Sequence, residues 1–169
     1  MISFDMQVAI FFGSKSDTET MKKAAAVLKE YGVDYKAHIL SAHRSGELLA
    51  QTVRQVEKEG AKVIIAGAGL SAALPGVISS LTVLPVIGVP LECVTPGVSN
   101  GLGGMDALLS VVQMPPQIPV ASVGINNAKN AAYLALQILA LNDESLRKRL
   151  VEFREGLAKN AVSGLNVDL

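Results

Sequence analysis

Two rhythms of apolar residues alternate along this chain. Gln7–Phe12, Val33–Leu40, Val63–Ala66, Pro85–Pro90 and Val120–Val123 are short runs of mostly β-forming residues and read as strands. Between them the apolar positions recur at helical spacing. Met21, Ala24, Ala25, Val27 and Leu28 mark a helix over Thr18–Tyr31, and Leu48, Leu49, Val53 and Val56 mark a second over Glu47–Glu59. Further helices are predicted over Ala72–Leu81, Met105–Met114 and Ala128–Leu141, and a charged, amphipathic one from Asp143 to about Leu157. The punctuation agrees. Ser16 or Asp17 can cap the first helix and Gly32 can end it; Gly60 ends the second; Pro115-Pro116 forbids continuation of the fourth; Asn126-Asn127 can cap the fifth. Pro75-Gly76 starts or interrupts the third helix.

Strand three, Val63-Ile64-Ile65-Ala66, is apolar without interruption, which predicts a central position covered on both faces. Gly67-Ala68-Gly69-Leu70-Ser71 is expected to break it. Leu91 to Gly104, with Thr95-Pro96-Gly97 and Asn100-Gly101-Leu102-Gly103-Gly104, reads as a mobile loop. The alternation of strand and helix predicts one α/β domain over residues 1–157, a three-layer α/β/α doubly wound parallel sheet, flavodoxin-like in outline. Residues 158–169 are expected to fray or to pack on a neighbouring subunit.

Composition narrows the function classes. Half of the 169 residues are hydrophobic, aromatics make up 4%, and tryptophan is absent, so the core is aliphatic, as a buried parallel sheet requires. Fifteen basic residues balance fifteen acidic ones, and no field argues for nucleic acid. One cysteine, Cys93, excludes an internal disulfide framework and a zinc cluster. Met1–Met6 has no basic start of a signal peptide, and no apolar stretch is long enough to span a bilayer; a soluble, cytoplasmic protein is expected.

Three loops carry the candidate chemistry, and a doubly wound sheet would bring all three to its carboxyl edge. Gly13-Ser14-Lys15-Ser16-Asp17 joins a strand to a helix N-terminus, where backbone N–H groups and the hydroxyls of Ser14 and Ser16 suit a phosphate. It is neither a Walker A nor a GxGxxG sequence, and an ordinary capped turn accounts for the same residues. Ser41-Ala42-His43-Arg44-Ser45-Gly46 follows strand two. His43 can move a proton near neutral pH, and Arg44 can fork onto an anionic oxygen group. His38, inside a strand, reads as a packed residue without a chemical role. Gly67-Ala68-Gly69 permits close backbone approach to a ligand, or is a tight turn needing positive φ. Together the loops offer an anion cradle, one acid–base group and a backbone-lined floor, with no elbow nucleophile and no paired carboxylates. That set suits proton or carboxyl transfer on a small phosphorylated compound.

These motifs occur in order with Leu74-Pro75-Gly76, Pro85–Pro90, Ser110-Val111-Val112-Gln113-Met114-Pro115 and Asn127-Ala128-Lys129-Asn130-Ala131. The set, spanning Val8 to Glu155, resembles the PurE family of purine biosynthesis. The resemblance implies a flavodoxin-like subunit of a homo-octamer with sites between subunits. It implies conversion of N5-carboxyaminoimidazole ribonucleotide to 4-carboxyaminoimidazole ribonucleotide without metal, ATP or biotin, by loss and re-addition of CO2. By the same resemblance His43 shuttles the proton, Ser14, Ser16 and Arg44 hold the phosphate, and Asp17 binds the ribose hydroxyls. Ser41 and Leu74 line the pocket, Gly67, Ala68 and Gly69 frame the base and the CO2, and Gln113-Met114-Pro115 reaches a neighbour's site.

Arg44 and Ala68 match the mutase branch; the direct carboxylase branch has Ser-Ala-His-Lys and Gly-Arg-Ser at these places. Two departures stand out. Mutases usually read Gly-Ala-Gly-Gly-Ala-Ala-His-Leu-Pro-Gly, so Leu70 replaces a glycine and Ala73 a histidine. The segment from Glu92 to Gly104 is also longer than the family's usual loop. A direct aminoimidazole ribonucleotide carboxylase, and a divergent paralogue binding a related nucleotide, stay open beside the mutase.

Overall fold

The computed structural model describes residues 6–95 and 98–163. Val8–Phe12 (β1), Tyr35–Ile39 (β2), Val63–Gly69 (β3), Val86–Leu91 (β4) and Ala121–Ser122 (β7) form one parallel sheet in the order β2-β1-β3-β4-β7. The helices are Thr18–Glu30 (α1), Gly46–Lys58 (α2), Leu74–Ser79 (α3), Met105–Val112 (α4), Ala128–Leu139 (α5) and Glu144–Ser163 (α6). The doubly wound, flavodoxin-like α/β arrangement is therefore the one the alternation predicts.

Every residue of β1 and β4 is buried, and the two sides of the sheet divide by parity. Val8, Ile10, Phe12, Val63, Ile65, Ile87 and Val89 pack with Met21, Ala24 and Leu28 of α1 and with the alanines of α5. Ala128, Ala131, Ala132 and Ala135 are fully buried; their small side chains let α5 lie close to the strands. On the other side Ala9, Phe11, Ile64 and Ala66 meet Leu49, Val53 and Val56 of α2, Leu74 and Ile78 of α3, and Val111 of α4. Gly88 makes the α4 contact possible. A Cβ there would stand 2.5 Å from Val111 Cγ1 and 3.0 Å from Val120 Cγ1.

Helix ends follow the sequence signals. At the end of α1, Gly32 takes φ +68°, its N–H reaches the Lys29 carbonyl, and Val33 N–H reaches that of Leu28. Gly60, at φ +102°, does the same for α2 with Glu57 and Val56. Asn127 accepts from Asn130 N–H at 3.2 Å and Asp143 from Leu146 N–H at 2.9 Å. Arg149 of α6 donates to the carbonyls of Tyr31 and Glu30 at 2.8 and 3.0 Å and lies over the Tyr31 ring, tying the last helix to the end of α1.

Four expectations need correction. Gly67-Ala68-Gly69 does not break strand three: it pairs with Val89, Pro90 and Leu91, and neither glycine has positive φ. The expected mobile loop contains an antiparallel hairpin, Cys93–Thr95 (β5) with Val98–Asn100 (β6), braced by Asn100 Nδ2 on Thr95 Oγ1 and Ser99 Oγ on Glu92 Oε1. β-Formers flanking the turn signal outweigh its glycines; Pro96 and Gly97 themselves lie outside the described residues. Strand five shrinks to Ala121–Ser122, an edge pair. Helix α6 continues past Leu157 to Ser163, because residues 158–163 contain no glycine or proline; residues 164–169 lie outside the described part.

His38 is a packed strand residue, as expected. Its ring stacks on Phe11 at 5.0 Å, and Nε2 is buried without a hydrogen-bond partner among the described residues. Burial holds its pKa below the ordinary 6.5, with Glu59 pulling up and Lys36 pushing down less strongly. The folded state thus favours the neutral ring, and the stability this contributes is complete above 6.5 and is lost as pH falls below it. His38→Phe should keep the stack and flatten this part of the pH dependence; chemical denaturation of both proteins between pH 5 and 8 measures it, and parallel curves would exclude the effect. Gly88→Ala should lower unfolding free energy by about 1–3 kcal/mol through overpacking against Val111 and Val120, measured by urea titration.

Candidate functional site

Parallel pairing puts the carboxyl ends of β1, β2 and β3 side by side: Phe12 is level with Ile39 on one side and Gly67 on the other. Strand order reverses at β1, so the chain leaves this edge on both sides of a crevice. A cleft of about 250 Å³ lies there. Its walls include Ser14, Ser16, Asp17, Ser41, His43, Arg44, Ala68, Gly69 and Leu74, nine of the ten residues singled out from the sequence. Gly67 is not in the wall. It lies inside β3, where an added Cβ would come within 2.5 Å of Met21 Sδ, so its missing side chain makes room for the core.

The first loop is a short 3₁₀ turn, Lys15–Asp17, closed by a capping box. Ser14 Oγ accepts from Ser16 N–H at 3.3 Å, and the Asp17 carboxylate accepts from Ser14 N–H at 3.1 Å. Ser14 thus caps the 3₁₀ turn, while Asp17 stands at the N-cap position of α1, as expected, but makes no side-chain cap bond to it. Ser16 Oγ donates to Ser14 Oγ at 2.9 Å, so both hydroxyls and the carboxylate form one cluster. Burial pushes the Asp17 carboxyl above its ordinary value, and the hydrogen bonds from Ser16 and from the Ser14 backbone oppose that rise.

The second loop is held by a residue that sequence reasoning passed over. Ser45 Oγ donates to the Ser41 carbonyl at 2.9 Å and accepts from Ser41 N–H at 3.1 Å, while Ser45 N–H also reaches the Ser41 carbonyl. This closes the turn that carries His43 and Arg44, both exposed to the cleft. A hydroxyl four residues after Ser41, just before a helix, was the available signal. Arg44 Nη2 donates to the Gly13 carbonyl at 3.3 Å and so links the first two loops.

The third wall follows β3. Gly69 lets the Leu91 carbonyl come within 3.0 Å of where a Cβ would be, with Cys93 Cβ at 3.6 Å. The chain then turns sharply: Ala72 N–H reaches the Gly69 carbonyl at 3.0 Å, and Leu70 and Ala72 take φ of +54° and +35°. The positive φ expected at the glycines falls instead on two residues with side chains. Ser110 Oγ of α4 donates to the Ser71 carbonyl, and Pro75 sits in the first turn of α3. Cys93 lines the cleft, half-buried, rather than the core. No periodic signal could have found it, since it starts the hairpin taken for a loop. Among the described residues no group of three or more His, Cys, Asp or Glu could hold a metal ion, and no helix is long and apolar enough to cross a membrane.

The cleft thus combines clustered hydroxyls at a helix start, one guanidinium, one imidazole and a wall of small or apolar residues. The N5-carboxyaminoimidazole ribonucleotide mutase of Saccharolobus solfataricus is 47% identical over 157 residues, which are 93% of this chain and 96% of that one. The protein of the same name from Pyrococcus abyssi is 50% identical over 153 residues, 90% of this chain and 84% of its own. The crystal structure of Treponema denticola PurE superimposes with a TM-score of 0.81 at 29% identity, covering 93% of this chain and 94% of that one. Since the model of the AIR carboxylase family also matches residues 7–160, from the start of β1 into the last turns of α6, this chain belongs to the AIR carboxylase family.

Proposed function

We propose that the protein is an N5-carboxyaminoimidazole ribonucleotide mutase of purine biosynthesis. The observation that carries this reading is the meeting of His43 and Arg44 with the Ser14–Asp17 cluster in one cleft, in a chain whose relatives bear that name. Arg44 and the hydroxyls of Ser14 and Ser16 take the phosphate, with the helix start beneath them. Asp17 accepts from the ribose hydroxyls, and the imidazole ring lies between Ser41 and the Ala68–Gly69 wall.

The chemistry then balances within the cleft. The N–CO2 bond breaks as His43 delivers a proton to the exocyclic nitrogen, and the CO2 stays against the apolar wall ending at Leu74. Ring carbon C4 attacks it, forms the C–C bond, and returns its proton to His43. One proton goes out and one comes back, so the cycle needs no metal, ATP or biotin.

The cleft is smaller than the roughly 300–1,000 Å³ usual for ligand pockets, and a nucleotide would project from it. A neighbouring subunit would supply the missing cover. Met105, Leu109 and Val112 on one face of α4, with Val94, Val98 and Leu102 nearby in sequence, are exposed apolar residues suited to such a contact. The reading takes residues 1–157 as one catalytic domain of a cytoplasmic homo-octamer, with the Gln113-Met114-Pro115 turn and the end of α6 directed to neighbours.

The family's own description, AIR carboxylase, keeps direct carboxylation by CO2 as the second reading. Absorbance assays of 4-carboxyaminoimidazole ribonucleotide formation separate the two. Fast turnover of the N5-carboxylated substrate at low bicarbonate is expected; formation only from aminoimidazole ribonucleotide plus bicarbonate would favour the carboxylase, and neither reaction would point to the divergent paralogue. His43→Asn should cut turnover by about 10²–10⁴-fold, the usual worth of a general acid–base group, with nucleotide affinity changed only a few-fold. Sedimentation at micromolar concentration should give eight subunits; a monomer with full activity would refute sites shared between subunits.

A further inference from the structure

We propose that Leu70 is a positioning residue, held in a left-handed backbone so that its side chain braces the β5–β6 hairpin and forms the far wall of the cleft. This rests on the nucleotide-binding reading above. A leucine at φ +54° is costly, because its Cβ crowds the following carbonyl, and Ala72 two residues on adds a second positive φ. Such a conformation persists only when its surroundings over-determine it. Here Ser110 fixes the Ser71 carbonyl and Ala72 N–H is tied to the Gly69 carbonyl, so the turn is clamped from both sides.

Leu70 belongs to the cleft wall with Cys93, the first residue of the hairpin. Its Cδ2 also lies 3.1 Å from where a Cβ on Gly101 would stand, just past the hairpin's second strand. A side chain at Gly101 would collide with the Asp106 carboxylate and crowd Leu70, so this close approach is eased by that glycine. Yet Leu70 is 43% exposed, unlike the fully buried leucines of the core. An apolar side chain, strained, half-open and facing the cleft, gains its missing contacts when a substrate fills the space.

Three variants separate backbone from side chain. Leu70→Gly relieves the strain and removes the wall; the relief and the added freedom of the unfolded chain are of similar size, so Tm should move by no more than about 2 °C. Leu70→Asn tolerates the left-handed backbone but is polar. Leu70→Met keeps an apolar side chain. With the N5-carboxylated substrate, Gly and Asn should raise KM about three- to tenfold, the scale of one lost apolar contact, with kcat within twofold, and Met should restore KM. An unchanged KM in Leu70→Gly, with wild-type turnover intact, overturns the proposal and leaves the mutase reading standing. Hydrogen exchange of the ligand-free protein tests the brace independently of any substrate. Amides of residues 93–95 and 98–101 should exchange faster in Leu70→Gly than in wild type or Leu70→Met. Equal exchange in all three overturns the brace even if the mutase reading itself fails.

Discussion

The pairing of β1 with β3 is the constraint on which the rest depends. Both strands are buried on both faces, so their register cannot slip without turning core residues toward the wrong layer. That register sets Phe12 level with Gly67, and the loops after the two strands must then emerge on either side of one crevice. Strand β2, hydrogen-bonded to the outer side of β1, adds the loop with His43 and Arg44 to the same edge. A hydrophobic requirement in the middle of the molecule thus fixes the relative positions of three polar loops at its rim.

Much of this was legible in the sequence, for identifiable reasons. The central strands are continuous aliphatic runs, and the helices carry apolar residues at 3.6-residue spacing, so order and layers follow directly. Nine of ten chosen site residues line the cleft because parallel sheets put successive βα loops on one edge. The failures are local. Gly67 and Gly69 look like punctuation, but β4 pairs with them through backbone groups that no side-chain pattern reveals. The paired strands Cys93–Thr95 and Val98–Asn100 were hidden by the Pro-Gly and Gly signals in the sequence around them, since two antiparallel strands of three residues are too short to show a period. Ser45 escaped because a serine before a helix usually reads as a simple cap, whereas here it closes the preceding turn.

The two ends of the cleft are built on different principles. At the helix-start end, Ser14, Ser16 and Asp17 satisfy one another through a capping box, using residues that favour this conformation unaided. At the other end, the turn through Leu70 and Ala72 opposes local preference and is kept by contacts from α4 and β3. The first arrangement is tolerant of its surroundings; the second depends on the whole domain being assembled.

Arg44 offers a final consequence. Among the described residues it forms no ion pair, and its guanidinium rests on the neutral carbonyl of Gly13. An incoming anion therefore displaces no carboxylate; it replaces a neutral acceptor with a charged one that the planar guanidinium can meet with two parallel N–H donors. The same openness is indiscriminate. On the proposed reading, inorganic phosphate and sulfate present the oxygens of a nucleotide without its base, so small oxyanions would compete for this end of the cleft, and selectivity would have to come from the walls beyond it.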